Sequence, residues 1–521
     1  MKTKILFVAG MALAASSALA QETYENANLV ENELNGTARY VGMGGAMDAL
    51  GADISTIVTN PAGIGLFRKS QIAGSFGLVS QEEVESFSPG NKTNMSFDQI
   101  GFVYSTRTGR KSFLNFGFNY HKSRNFDQIL SASSRLTNAS QNKLTYQKLR
   151  EGLLYELDDN GLPREDRAMI THNQLDNIYY KSLIKDADGN FGYYDASGYT
   201  FNKAMRGYIG EYDLNISGNL NDQVYLGLTV GIHDVHYKGY SEYTETLMPN
   251  RDNISNLTVV DNREITGTGY DLKVGAIFRP VEDSPFRIGV SVATPTWYDL
   301  TTSNYTYITD GNISPNMSES YDFKLYTPWK FGLSLGHTIG NYLAIGAGYE
   351  YADCSAMDTR VIDGGYYDTW YGDYYDSSSS DKAMNRHTEQ TLKGVSTVKL
   401  GMEFKPDPTL AVRFGYNYVS PMYKKDGFKN GTISSEGSYY SSSTDYVNWE
   451  STNRITCGIG YTVGKMNLDV AYQYSSQNGE FHPFLDSYAD WADDPNFTNY
   501  ADAVKVSNKR HQLIFNLGYK F

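Results

Sequence analysis

The chain closes on Leu513-Ile514-Phe515-Asn516-Leu517-Gly518-Tyr519-Lys520-Phe521, where Leu513, Phe515, Leu517, Tyr519 and Phe521 fall on one face and Asn516, Gly518 and Lys520 on the other. Side chains two apart share a face of a strand, so this run predicts a strand with one wholly apolar side. The same alternation recurs at 70–80, 97–107, 112–122, 206–219, 223–239, 263–280, 285–296, 325–338, 341–352, 393–405, 408–419, 451–463, 465–477 and 510–521. That makes fourteen candidate strands, and many reach the roughly 9 to 11 residues that a tilted strand needs to cross a bilayer. The connections after even-numbered strands are short, as at Thr108-Gly109-Arg110 and Gly464-Lys465, whereas those after odd-numbered strands are long. Short turns at one end and long loops at the other predict an all-β fold, a 14-stranded antiparallel transmembrane β-barrel with its long loops outside.

Composition agrees with a barrel rather than a helical bundle. Mean hydropathy is −0.46, and only the N-terminus approaches the ~20 consecutive apolar residues of a membrane helix. A net charge of −14 argues against nucleic acid as a partner, because phosphate binding needs clustered Lys and Arg. Residues 1–20 open with Lys2 and Lys4, run through apolar Ile5 to Ala15 and close on Ala18-Leu19-Ala20, which predicts a secretory signal cleaved near Ala20. The two cysteines, Cys354 and Cys457, provide no disulfide framework, and Cys457 sits on the same strand face as Ile455 and Ile459, so both are expected to be free thiols.

The strand faces sort into lipid and lumen. In 112–122, Leu114, Phe116, Phe118 and Tyr120 alternate with Asn115, Gly117, Asn119 and His121. In 206–219, Tyr212, Leu214 and Ile216 alternate with Glu211, Asp213, Asn215 and Ser217, carboxylates that are expected to be solvated by lumen water. On ascending strands the outward residues turn from aliphatic to aromatic, giving Tyr349 and Tyr351, Tyr416 and Tyr418, and Tyr472 and Tyr474 as one membrane-interface girdle. Tyr519 and Phe521 of the descending last strand belong to the opposite rim. Gly117 is a candidate strand kink.

Ahead of the strands, 21–67 lacks alternation and is rich in Gly and Ala, with Val41, Met43, Met47, Leu50, Ile54 and Ile57 as an apolar set. Such a segment suits folding back into the lumen as a hatch, leaving 68–521 as the barrel with long external loops at 123–205, 353–392, 420–450 and 478–509. Within this segment Gly36-Thr37-Ala38-Arg39-Tyr40-Val41-Gly42-Met43-Gly44-Gly45-Ala46, followed by Asp53-Ile54-Ser55-Thr56-Ile57-Val58-Thr59-Asn60-Pro61-Ala62-Gly63, resembles the N-terminal signature of the FadL/TodX family of outer-membrane transporters of long-chain fatty acids and hydrocarbons. The resemblance implies a fourteen-strand barrel plugged by its hatch and passing a hydrophobic ligand inward, with sideways exit at a distorted strand. It implies that Asn60, Pro61, Ala62 and Gly63 are the hatch-to-barrel junction. The terminal Phe521 strand is similar to the closing strand of bacterial outer-membrane barrels, which implies outer-membrane lipid and the barrel assembly machinery as partners.

Catalytic, metal and cofactor motifs are not expected. Gly332-Leu333-Ser334-Leu335-Gly336 matches G-x-S-x-G but lies inside an alternating strand rather than on a strand-to-helix elbow. Asp186-Ala187-Asp188-Gly189-Asn190 has its Gly misplaced for an EF-hand, and His233 and His236 point to opposite sides of one strand. The piece from Leu144 to Leu157 is expected to be helical, lining an external pocket or packing on its own loop. The leading expectation is passive uptake of hydrophobic small molecules such as long-chain fatty acids, gated by the hatch. The alternative is a surface-binding or adhesion barrel that acts through Tyr-rich external loops around a closed lumen.

Overall fold

The computed structural model describes residues 22–521 apart from 32, 187, 251, 282–283, 312–313, 371 and 489–497, so the expected signal segment 1–20 lies outside the described residues. Fourteen antiparallel spans close on themselves through Gln71–Gln81 pairing with Val504–Lys520. In order they are Gln71–Gln81; Thr93–Arg107; Phe113–Asn125, continued by Gln128–Ala139; Ala196–Leu220; Val224–Leu247; Asn256–Phe278; Arg287–Ala293, continued by Trp297–Thr309; Asn316–Tyr326 with Lys330–Ile339; Leu343–Asp353 with Asp358–Asp368; Asp373–Ser380 with Gly394–Asp407; Leu410–Val419; Tyr446–Val463; Met466–His482; and Val504–Lys520. Closure pairs the first span with the last, so neither terminal strand is left as an open edge.

The outer wall is apolar, with side chains such as Phe102, Leu214, Val274, Leu333 and Phe414 exposed around the circumference, while Asn119, Asp213, Thr229, Lys399 and Asn417 are buried toward the axis. Apolar outside and polar inside is the arrangement of a barrel whose surrounding solvent is lipid. Cys354 is buried and Cys457 exposed on that outer wall, and neither is bridged.

The long external connections hold more strand than their sequence suggests. Residues 240–262 are mostly the paired ends of the fifth and sixth spans, and 297–324 form a hairpin paired from Trp297↔Tyr326 to Tyr307↔Asn316. Beyond the membrane a strand no longer needs an apolar face, so the period-2 signal fades although the hydrogen-bond ladder continues. The helix expected over 144–157 runs Gln141–Arg150 and stops at Gly152, whose φ of 71° suits glycine; Tyr155–Leu157 then pairs with Pro163–Ala168. This helix packs on the loop's own core through Leu144 and Leu149, in one buried cluster with Leu154, Leu175, Ile178 and Tyr179.

This external cap contains a pH-sensitive carboxyl. Burial pushes Glu245 up to about 7, against the lowering effect of hydrogen bonds that its Oε1 accepts from the Gln141 backbone N–H and the Tyr243 hydroxyl. An unfolded Glu titrates near 4.3, so the folded cap retains a proton that the unfolded chain releases. The contribution of this carboxyl to cap stability is therefore fully present below about pH 4 and is lost as pH rises through 7. Proteolysis of the 140–195 segment is expected to be faster at pH 8 than at pH 5, and Glu245→Gln is expected to flatten that difference.

Candidate functional site

The segment ahead of the first span lies inside the barrel. Two short helices, Thr23–Val30 and Ala38–Gly42, are followed by tight turns over 43–50, a single turn Thr56–Thr59 and the 3-10 helix Pro61–Leu66. Val41, Met43, Met47, Leu50, Ile54 and Ile57 are each at most 5% exposed. Burying each contributes roughly 1.5–3 kcal/mol.

The hatch sits on glycines. Gly336, Gly346, Gly401 and Gly415 are consecutive cross-strand partners over the eighth to eleventh spans, and together they form a bare row on the inner wall. A Cβ on Gly346 would overlap the Ala46 carbonyl, one on Gly401 the Met43 carbonyl, and one on Gly415 the Gly44 backbone. A second pair in register, Gly227 and Gly275, gives the same clearance to Pro61 and Asn60. These glycines let two backbones touch, so the hatch fills the axis at these heights. Each of them occupies an inward position of its strand alternation, a signal present in the sequence but indistinguishable there from ordinary strand glycine.

The Asn60-Pro61-Ala62-Gly63 stretch lies in this seat. Asn60 is extended, at φ −143° and ψ 97°, as a residue before proline must be, and its Oδ1 accepts from the Ala62 N–H at 3.2 Å. Pro61 opens the 3-10 helix, and its carbonyl accepts from Ser217 Oγ at 2.8 Å. The Gly63 carbonyl accepts from the Ala52 N–H at 3.0 Å, and a Cβ at Gly63 would overlap Thr56. Gly63→Ala is expected to destabilise the hatch by about 1–3 kcal/mol, measured as a lower urea midpoint for hatch protease protection in an intact barrel.

Ion pairs latch the hatch to the wall. Arg39 grips Glu403 with two bonds, at 2.9 and 3.1 Å, while Arg413 bridges Glu403 at 2.7 Å and Asp469 at 2.6 Å. Lys399 holds Asp48 at 3.2 Å, Arg510 holds Glu33 at 3.0 Å and Arg124 holds Glu31 at 2.5 Å.

Above this plug lies a cavity of about 1730 Å³ including its open mouth, lined by Leu29, Leu34, Ile209, Tyr298, Met422 and Trp449 among polar residues. A second, outer cavity between helix Thr23–Val30 and the wall shares Leu29, Glu31, Tyr423, Trp449 and Gln477 with the first, so the two adjoin. The wall of the lower cavity is irregular in two places. Pairing between the second and third spans stops at Gln99↔His121, although both spans continue upward, and the third span shifts register at Lys122–Arg124 and breaks at Phe126-Asp127. That break faces Gly207, whose φ is 109°. The seventh and eighth spans also break side by side at Pro295 and Pro328, residues that cannot donate to the ladder.

Gly117 is paired in register on both sides, with Val103 and with Asn215, and lies against Ile57 and Ile64 of the hatch. The bend of the third span is therefore at Lys122–Asp127, and Gly117 makes room for the plug. Tyr349, Tyr351, Tyr416, Tyr472, Tyr519 and Phe521 are exposed on the outer face, with Tyr418 and Tyr474 half-buried beside them. Glu211 and Asp213 do face inward, but they are buried and bound to Lys273 rather than solvated. Ser334 lies within strand Lys330–Ile339, and His233 and His236 point to opposite faces.

No family model matches the chain, and no curated protein matches it. Among solved structures it is similar to a Pseudomonas aeruginosa FadL homologue, with a TM-score of 0.52 at 11% identity, covering 94% of this chain and 99% of that one. The toluene transporter TbuX of Ralstonia pickettii aligns with a TM-score of 0.46 at 14% identity, and the Pseudomonas putida toluene transporter TodX with 0.45 at 11%, each over 94% of this chain and 99% of the other. At such identity the likeness to the FadL homologue is one of fold: a closed fourteen-strand barrel.

Proposed function

We propose that this barrel resides in a bacterial outer membrane and passively takes up hydrophobic small molecules, long-chain fatty acids being the first to test, with the hatch as its gate. The observation that carries this reading is a mixed apolar cavity that adjoins an outer cavity above, is plugged on the axis below, and reaches the wall where the second and third spans part. An apolar molecule bound there has a polar, tightly latched floor beneath it and lipid beside it. Leaving sideways into lipid avoids the aqueous step that a straight path would require.

Cells that depend on this barrel are expected to take up labelled oleate at least several-fold faster than cells lacking it. Ser123, which lines the cavity at the parting of the spans, is the place to block the route. Ser123→Trp is expected to abolish the gain while the barrel still shows heat-modifiable migration. Oleate uptake equal to that of cells without the barrel would overturn the fatty-acid reading, and full uptake by Ser123→Trp would overturn the lateral route. Assembly through the terminal strand is tested separately: deleting Phe521 is expected to lower the amount of inserted barrel. Exposed Tyr366, Tyr367 and Trp370 in the external Asp358–Ser380 region favour surface binding as the second reading; deleting that hairpin distinguishes the two, because uptake then survives only if transport is the function.

A further inference from the structure

On the inner wall, His121, Glu211 and His233 stand directly opposite one another in register across the third, fourth and fifth spans, and Asp213, Asp271 and Lys273 adjoin them. All six side chains are buried, and Gly231 leaves the space that Asp271 and Lys273 fill. The three carboxylates share one pattern. Each gives one oxygen to the ammonium of Lys273, at 2.5 Å from Glu211 Oε1, 2.7 Å from Asp271 Oδ1 and 3.4 Å from Asp213 Oδ1. Each turns its other oxygen to an imidazole: Glu211 Oε2 to His121 Nε2 at 3.5 Å and to His233 Nδ1 at 3.8 Å, Asp213 Oδ2 to His121 Nδ1 at 3.4 Å, and Asp271 Oδ2 to His233 Nε2 at 3.0 Å. Asn119, Thr296 and Tyr298 add polar contacts to Asp213, Asp271 and His233.

Three carboxylates around one ammonium leave two negative charges uncompensated when both imidazoles are neutral. A buried surplus of that size requires cations, and a single divalent ion cancels it. The donors are chemically those of a transition-metal site: imidazole nitrogens and carboxylate oxygens, with each histidine held by a carboxylate that fixes its tautomer and orientation. Ligand atoms of His121, Glu211 and Asp213, and of Glu211, His233 and Asp271, lie within 4.8 Å of one another. Zinc bonds of ~2.0–2.1 Å place tetrahedral donors about 3.3 Å apart, close to the carboxylate–imidazole separations of 3.0–3.8 Å in these two triads. Four of these residues and Lys273 line the lower cavity, which gives an ion a path in.

We propose that this cluster binds a divalent transition-metal ion in one of these two triads, with Glu211 as the ligand common to both and His121 or His233 as the nitrogen donor, while Lys273 holds the far oxygens of the carboxylates in place. The site is independent of the transport reading and ties four consecutive spans together at the cavity wall. The test uses the full barrel, extracted in detergent, stripped with a chelator, equilibrated with Zn²⁺ and desalted. Metal analysis is expected to give about one Zn²⁺ per chain, and Co²⁺ in its place to give a visible absorption band of nitrogen–oxygen coordination. The double variant His121→Ala/His233→Ala is expected to lose at least tenfold in metal affinity with heat-modifiable migration retained. Should that variant fail to assemble, Glu211→Gln, which keeps the volume and hydrogen bonding of the side chain, makes the same test. Wild-type protein that retains less than about a tenth of an equivalent of Zn²⁺, or a properly assembled variant that binds as the wild type does, overturns the proposal and leaves two protons as the balancing charge.

Discussion

Replacing Gly346 and Gly401 together by leucine is expected to expel the hatch and convert a closed barrel into an ion-conducting one. The two residues are cross-strand partners, and a side chain on either would occupy the space of a hatch carbonyl, that of Ala46 or Met43. Overpacking a fixed site costs ~1–3 kcal/mol where side chains can yield. Here the opposing atoms are backbone, so relief requires the whole 43–50 turn to lift. The barrel itself keeps its ladder, because leucine fits a strand and its cross-strand partner is also apolar. Single-channel recording in planar bilayers is the measurement: long-lived openings in the variant and none in the wild type are the expected result. An assembled variant with wild-type conductance would show that glycine clearance does not seat the plug.

The second large effect is expected at Glu403. This carboxylate is 3% exposed and receives both Arg39 from the hatch and Arg413 from the wall. Removing one member of a buried ion network leaves the others uncompensated and costs about 3–5 kcal/mol, toward the lower figure here because Arg39 is 26% exposed and recovers some hydration. Glu403→Gln is therefore expected to lower the urea midpoint at which the hatch becomes protease-accessible, without unfolding the barrel. Replacing Arg39 by Met in the same chain removes the stranded cation from the hatch side, and the pair is expected to lose less than the sum of the two single changes. Additive losses would show that Arg39 and Glu403 do not act as a unit.

Gly346, Gly401 and Glu403 also mark how far a sequence can be read. Alternation places Asn119, Glu211 and Asp213 inward from the sequence, and the structure adds Gly346, Gly401 and Glu403 to the same face. That follows from a local rule: successive side chains of a strand point to opposite faces, whatever the strand pairs with. What each inward residue meets depends on residues far away in the chain. Alternation alone leaves Glu211 facing a wet lumen; Lys273, which binds it, arrives two spans later. His121 and His233 are likewise legible as inward or strand residues, but a row formed with Glu211 exists only once two registers, between the third and fourth and the fourth and fifth spans, are set. Gly117 was legible as an isolated strand glycine, and only the docked hatch distinguishes room for Ile57 and Ile64 from a kink.

The sequence by itself determined the fourteen spans, their faces and the alternation of short and long connections, because lipid on one side and polar lumen on the other impose a period that each strand must carry alone. The extent of the external strands, the break at Lys122–Asp127, the glycine seat, the latches and the Glu211 cluster were decided by tertiary structure. These are contacts between segments tens to hundreds of residues apart, and a side chain's chemistry is set by its partner, which register and closure select.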